Sequence, residues 1–206
     1  MKTLNKICTI VAMALCITMT NGCKKEEASL PNTNPGAVSE ERIPNYGSMI
    51  LRMRGSEPGM YGAVNVDIAS IEIQYANEKI GFHGWVSLPV RPKVYDVLQY
   101  QNGLFANLAD DNNLPLGTIV KVRVTLGDRN TLTWGDSQGR HFAAMQVVQR
   151  STTVNASAVI KQGVQSFISL NFHASPSVNP EGHNIYLLDP VITAQHIFSI
   201  SDANTQ

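Results

Sequence analysis

From Gly47 onward, apolar and polar residues alternate with a period of two. In "AVNVDIASIEIQY", Val64, Val66, Ile68, Ile71 and Ile73 are interleaved with Asn65, Asp67, Ser70 and Glu72. That spacing puts the aliphatic set on one face of a strand and leaves Asp67 and Glu72 on the solvated face. The alternation slips once, at Ala69-Ser70, where a β-bulge fits. Further strands are predicted at "SMILRMR" (48–54), "WVSLP" (85–89), "KVYDVLQY" (93–100), "TIVKVRVTL" (118–126), "NTLTW" (130–134), "HFAAMQVV" (141–148), "TTVNASAVI" (152–160), "VQSFISLNF" (164–172) and "NIYLLDPVITA" (184–194). Turn signals separate them, including Gly55-Ser56-Glu57-Pro58-Gly59, Asn102-Gly103, Gly127-Asp128-Arg129-Asn130 and Asn179-Pro180-Glu181-Gly182. Only "LFANLADD" (104–111) reads as a short helix. The fold class expected is all-β: an antiparallel β-sandwich, immunoglobulin-like or prealbumin-like, of roughly nine or ten strands.

The first 46 residues follow a different pattern. Lys2 and Lys6 precede an apolar run from Ile7 to Met19, which is too short for the ~20 residues that span a hydrocarbon core. Residues 1–22 therefore read as a removed signal peptide. Cys8 and Cys16 leave with it, so Cys23 is the only cysteine of the remaining chain and has no disulfide partner. Gly22-Cys23 resembles a bacterial lipobox, with Thr20 where Leu is usual. Lipid on Cys23, including an acyl chain such as palmitate, would hold the chain to a membrane at ~0.8 kcal/mol per buried methylene. An ordinary secretory signal with a chance cysteine is the competing reading. Lys25-Glu26-Glu27 resembles the signal that exports Bacteroidota lipoproteins to the cell surface; the bland alternative is a solvated charge cluster. Residues 23–46 carry three prolines and clustered charge, as a flexible tether does.

Composition narrows the partners. Lys plus Arg and Asp plus Glu number 16 each, so the formal net charge is zero and no basic excess points to nucleic acid. With 43% hydrophobic residues there is material for one core, placed at residues 47–198, with 199–206 a C-terminal tail.

Several segments, taken in order, resemble the domain of unknown function 4382 family of Bacteroidota lipoproteins. They are "YGAVNVDIASIEI", "GWVSL", "YDVLQYQNGLFANLAD", "LPLGTIVKVRVTLGDRNTL", "ISLNFHASPSV" and "YLLDPVI". The Pro-x-Gly strand leading into Leu126-Gly127-x-x-Asn130-Thr131 is the most specific of them. One departure is Ser56-Glu57-Pro58, where many members have Asp-Ala-Pro. The resemblance implies a β-sandwich lipoprotein of undefined activity and supplies no catalytic residues.

Candidate chemistry is sparse. His173 and His183, with Glu181 nearby, lie on one loop, but their spacing is not that of a zinc finger and no HExxH occurs. Asp110, Asp111, Asn112 and Asn113 offer oxygen ligands without the EF-hand pattern. No Gly-x-Ser-x-Gly is present. Accordingly no catalytic residue, metal or cofactor is assigned. Trp85 and Trp134 sit near strand ends, with Tyr95 and Tyr100 on a neighbouring strand; the tryptophans read either as an aromatic platform for a sugar or as fillers of the sandwich core. The expectation is an outer-membrane-anchored, surface-exposed, non-catalytic lipoprotein binding a glycan or protein. The alternatives are a periplasm-facing anchor, a structural component of an envelope assembly, and a metal-dependent hydrolase using His173 and His183.

Overall fold

The computed structural model describes residues 46–57, 59–76, 83–90 and 92–201. The signal, Cys23 and Lys25-Glu26-Glu27 lie outside them. Thirteen strands run in chain order: β1 (Tyr46–Ser56), β2 (Tyr61–Ala76), β3 (Trp85–Ser87), β4 (Lys93–Asp96), β5 (Ala106–Pro115), β6 (Gly117–Leu126), β7 (Thr131–Asp136), β8 (Gly139–Val147), β9 (Ser151–Ile160), β10 (Val164–His173), β11 (Val178–Gly182), β12 (Ile185–Leu188) and β13 (Ile192–Ser201). A single helical turn, α1 (Ala174–Ser177), and a 3₁₀ turn at Val97–Gln99 complete the set.

The strands form two sheets around one core, a β-sandwich as the alternation predicts. The smaller sheet has the order β13-β10-β1-β5; the larger has β11-β12-β8-β7-β2-β6-β9, with β3 and β4 also on β2. Both sheets are mixed rather than purely antiparallel, because β1 pairs with β10 and β12 with β8 in parallel. The strand count exceeds expectation for three local reasons, of which β5, in the stretch read as a short helix, is one. "NIYLLDPVITA" breaks at Asp189-Pro190 into β12 and β13, since Pro190 lacks the N–H a ladder needs. The segment from Val178, read as a turn, forms β11 against β12. β13 continues to Ser201, into the stretch read as a tail.

"LFANLADD" is not a helix. Its larger part lies in β5, paired with β1, and the Asp110–Asn113 stretch is strand rather than loop. Register shifts between Gly47 and Met49 and between Leu51 and Arg52 show where β5 bulges against β1. Two bulges in ten residues scramble the two-residue period and leave a false helical one.

The slip at Ala69-Ser70 is a bulge, as expected. Ile68 pairs with Leu126 and Ser70 with Thr125, leaving Ala69 unpaired. The bulge shifts the parity of β2, so that Val64, Val66 and Ile68 share the core face with Ile71, Ile73 and Tyr75. Opposite them lie Met49, Leu51 and Met53 of β1 and Ile168, Leu170 and Phe172 of β10, all at most 1% exposed. Each such side chain contributes ~1.5–3 kcal/mol by leaving water.

Asp67 is not on a solvated face. It is 5% exposed and holds the connection between β6 and β7, which meet β2 one after the other. Its carboxylate accepts from Arg129 Nε (3.0 Å), Nη2 (3.0 Å) and N (3.2 Å). Its own N–H donates to Asn130 Oδ1 (2.8 Å), and Asn130 Nδ2 donates to the Gly127 carbonyl (2.7 Å). Gly127 lies so close to the carboxylate that no Cβ fits there. The Gly127-x-x-Asn130 motif is thus a clasp on Asp67, where the large sheet divides into its β6–β9 and β7–β8 wings. Glu72 remains on the surface, paired with Arg123 at 3.1 Å.

Candidate functional site

An open groove of about 850 Å³ runs along the outer edge of β5. That volume lies within the range of ligand pockets, roughly 300–1,000 Å³. One wall is the edge of β5 itself, from Ala106 to Asp110; the other holds Pro89, Val90, Lys93, Tyr95 and Tyr100. Among the described residues β5 pairs only with β1, so its second edge, facing the groove, has no strand beside it.

Local chemistry shapes this opening. Asp96 closes β4 by accepting from Leu98 N (3.2 Å) and Val64 N (3.1 Å), which turns the chain into the 3₁₀ segment. Gly55 N donates to the Tyr100 carbonyl (2.9 Å), fixing the far wall to β1. Asn102 and Gly103 then take positive φ values of 53° and 88°, the tight turn their sequence predicts, and deliver Phe105 to the rim. Tyr95 and Tyr100 stand with ring centroids 6.4 Å apart and tilted by 59°, and Lys93 Nζ lies 5.5 Å from the Tyr95 ring. Tyr95 is only 5% exposed, and burial, and after it the Tyr100 phenol, push its phenol above its ordinary value. The groove therefore joins aromatic faces, a cation, an amide (Asn107) and a carboxylate (Asp110).

Neither candidate tryptophan lines it. Trp85, half-buried, lies beneath the Arg123 guanidinium at 3.8 Å, on the outside of the large sheet. Trp134 is stacked on His141 (5.3 Å, 20°) and lies against Tyr186 (4.9 Å), half-buried at the margin of the core. Their faces are occupied by neighbouring side chains. Tyr95 and Tyr100 were legible as neighbours on "KVYDVLQY", whereas Phe105, beyond the Asn102-Gly103 turn, was not.

The histidines do not converge. Among the described residues no group of three or more His, Cys, Asp or Glu side chains could hold a metal ion. His183 sits in the β11–β12 turn, whereas His173 ends β10. There, Ser56 Oγ and His173 Nδ1 are hydrogen-bonded at 3.1 Å, and His173 Nε2 and Thr193 Oγ1 at 3.0 Å. The Glu57 carboxylate approaches the same Nδ1, at 3.8 Å. Thr193 on Nε2 and Glu57 on Nδ1 follow the order of a nucleophile triad, but the carboxylate stands beyond hydrogen-bond reach and Ser56 holds Nδ1 in its place.

A family model described as a domain of unknown function, DUF4382, matches residues 47–190. No curated protein and no solved structure matches the chain.

Proposed function

Because the chain belongs to the DUF4382 family, which carries no assigned activity, we propose from its own geometry that it is a lipid-anchored, non-catalytic binding module displayed on the outer membrane. The groove beside β5 is read as the site of a glycan. What carries this reading is the meeting of Tyr100 and Phe105 with Lys93, Asn107 and Asp110 along one open channel that the buried Tyr95 helps to line. Sugar rings offer an apolar face to aromatic rings and hydroxyls to amides and charges, so this mixture suits them. Cys23 is the anchor in this reading, residues 23–46 the tether, and Lys25-Glu26-Glu27 the export signal. Titration of neutral oligosaccharides into the full chain in detergent micelles tests it. Saturable binding lost in Tyr100→Ala and in a Tyr95→Ala chain shown to be folded by thermal melting supports the groove; binding indifferent to both refutes it.

A second reading has its own observation. The unpaired edge of β5 can accept a strand from another protein, which would make the chain a component of an envelope assembly. The two bulges and the flanking Lys93 and Asp110 oppose this, because such features are how proteins protect an edge from pairing.

A further inference from the structure

The outer face of the four-stranded sheet carries two arginines that no carboxylate among the described residues neutralises. Met49, Leu51 and Met53 point into the core, so Arg52 and Arg54 project from the opposite face of β1. Among the described residues neither takes part in an ion pair. Arg52 is held by aromatic rings: its Cζ lies 4.1 Å from the Phe105 centroid and 5.3 Å from that of Phe167. Arg54 Nε donates to Asn171 Oδ1 on the neighbouring strand. Beyond it the row continues through Ser56, His173 and Thr193.

At the centre of this face two polar atoms have no partner among the described residues. Arg52 Nε is buried without a hydrogen bond, and so is the Oγ of Ser169, a residue 0% exposed. Arg52 and Ser169 are register partners across β1 and β10. Two carboxylates stand at the margins: Asp110, in register with Ile50, and Glu57, beside His173. Neither reaches an arginine. A guanidinium fixed by rings and left without a counter-charge is pre-organised for a bidentate acceptor, and an oxyanion is the acceptor with enough lone pairs.

We propose that the face around Arg52 and Arg54 binds the oxyanion group, carboxylate or sulfate, of an acidic glycan. The hydroxyls and amides of Ser56, Thr193 and Gln195 flank the arginines and match the hydroxyls of a sugar ring. Phe105 joins the two regions, since it borders the groove on one side and packs on Arg52 on the other. The choice of a glycan as carrier rests on the reading above; the anion site does not.

The test titrates the full chain in detergent micelles with four probes: a sulfated oligosaccharide, an oligogalacturonate, a neutral oligosaccharide of equal length, and phosphatidylglycerol vesicles. Arg52→Gln, Arg54→Gln, Arg52→Lys and Tyr95→Ala are compared with wild type, each checked by thermal melting. The acidic sugars are expected to bind about tenfold or more tighter than the neutral one. That preference should vanish in Arg52→Gln and Arg54→Gln and fall in Arg52→Lys, which keeps charge but loses the fork. Tyr95→Ala should weaken the neutral sugar while leaving the acidic preference in place. If Arg52→Gln does not fold, Arg54→Gln and Arg52→Lys decide the matter. No acidic preference, or one that survives the arginine variants, overturns the site. Vesicles bound as tightly as the acidic sugars overturn the glycan as its carrier. Failure of the neutral sugar alone sinks the groove reading and leaves the anion site standing.

Discussion

Arg52 and Ser169 face each other across the parallel pairing of β1 and β10, and each keeps a buried polar atom without a hydrogen bond. A buried donor left unsatisfied costs about 1–3 kcal/mol. Replacing Ser169 by Ala removes one such group without opening a cavity of any size. The Ser169→Ala variant is therefore expected to match wild type or gain up to about 1 kcal/mol in urea unfolding. A loss of stability beyond about 1 kcal/mol would mean the hydroxyl already has a protein partner.

The Asp67 clasp should register in acid. Hydrogen bonds from Arg129, outweighing the opposing effect of burial, hold the Asp67 carboxyl below its ordinary value. The unfolded chain thus takes up the proton first. The resulting stability is complete above an unfolded carboxyl value of ~3.9 and is lost as pH falls through the lower folded value. Urea midpoints between pH 7 and pH 2 should fall less steeply for Asp67→Asn than for wild type in this window; parallel curves would show that Asp67 contributes nothing to acid sensitivity.

Gly127 should be intolerant of a side chain. A methyl group there meets the Asp67 carboxylate, so Gly127→Ala is expected to cost about 1–3 kcal/mol. Much of that cost should disappear when Asp67→Ala is made in the same chain, because the two groups compete for one space. Strictly additive losses in the double-mutant cycle would count against the clasp.

Tyr75 presents the reverse situation. It is 1% exposed, its hydroxyl has no partner among the described residues, and burial pushes its phenol far above the ordinary value. Tyr75→Phe is expected to leave the melting temperature unchanged or raise it, with a gain of no more than about 1 kcal/mol. A clear drop in melting temperature would reveal a bond to the hydroxyl.

Location is open to a direct test. Protease added to intact cells should remove the wild-type domain and spare a Lys25→Ala/Glu26→Ala/Glu27→Ala variant. Protection of both, with cleavage only after lysis, would move the protein to the periplasmic side and sink surface display.

The sandwich was legible because β2, β6 and β10 keep their apolar residues on one face for most of their length, and a period of two is the mark of a half-buried strand. Even the break in β2 at Ala69 could be read, since parity changes there only once. β5 was not legible: two bulges removed its period. The buried role of Asp67 was hidden for another reason. On a strand, polar positions normally face water, and only the tertiary return of Arg129 and Asn130 covers this one. The arginine face escaped in a similar way. "SMILRMR" shows Arg52 and Arg54 as outward residues, while Phe105, Phe167 and Ser169, which give them meaning, lie from 51 to 117 residues further along.

The pairing of β1 with β10 also governs the order of events in folding. Ser56 meets His173, 117 residues later, and β1 lies between β10 and β5 in the small sheet. The first strand to be synthesised must therefore wait for the tenth, holding Met49, Leu51 and Met53 without a finished core. Closing so long a loop before its contacts form is slow, so refolding is expected in the range of milliseconds to seconds rather than microseconds. A chain ending before residue 164 lacks β10 and β13 and leaves one edge of β1 unpaired, so nascent and truncated forms are expected to aggregate more readily than the full chain.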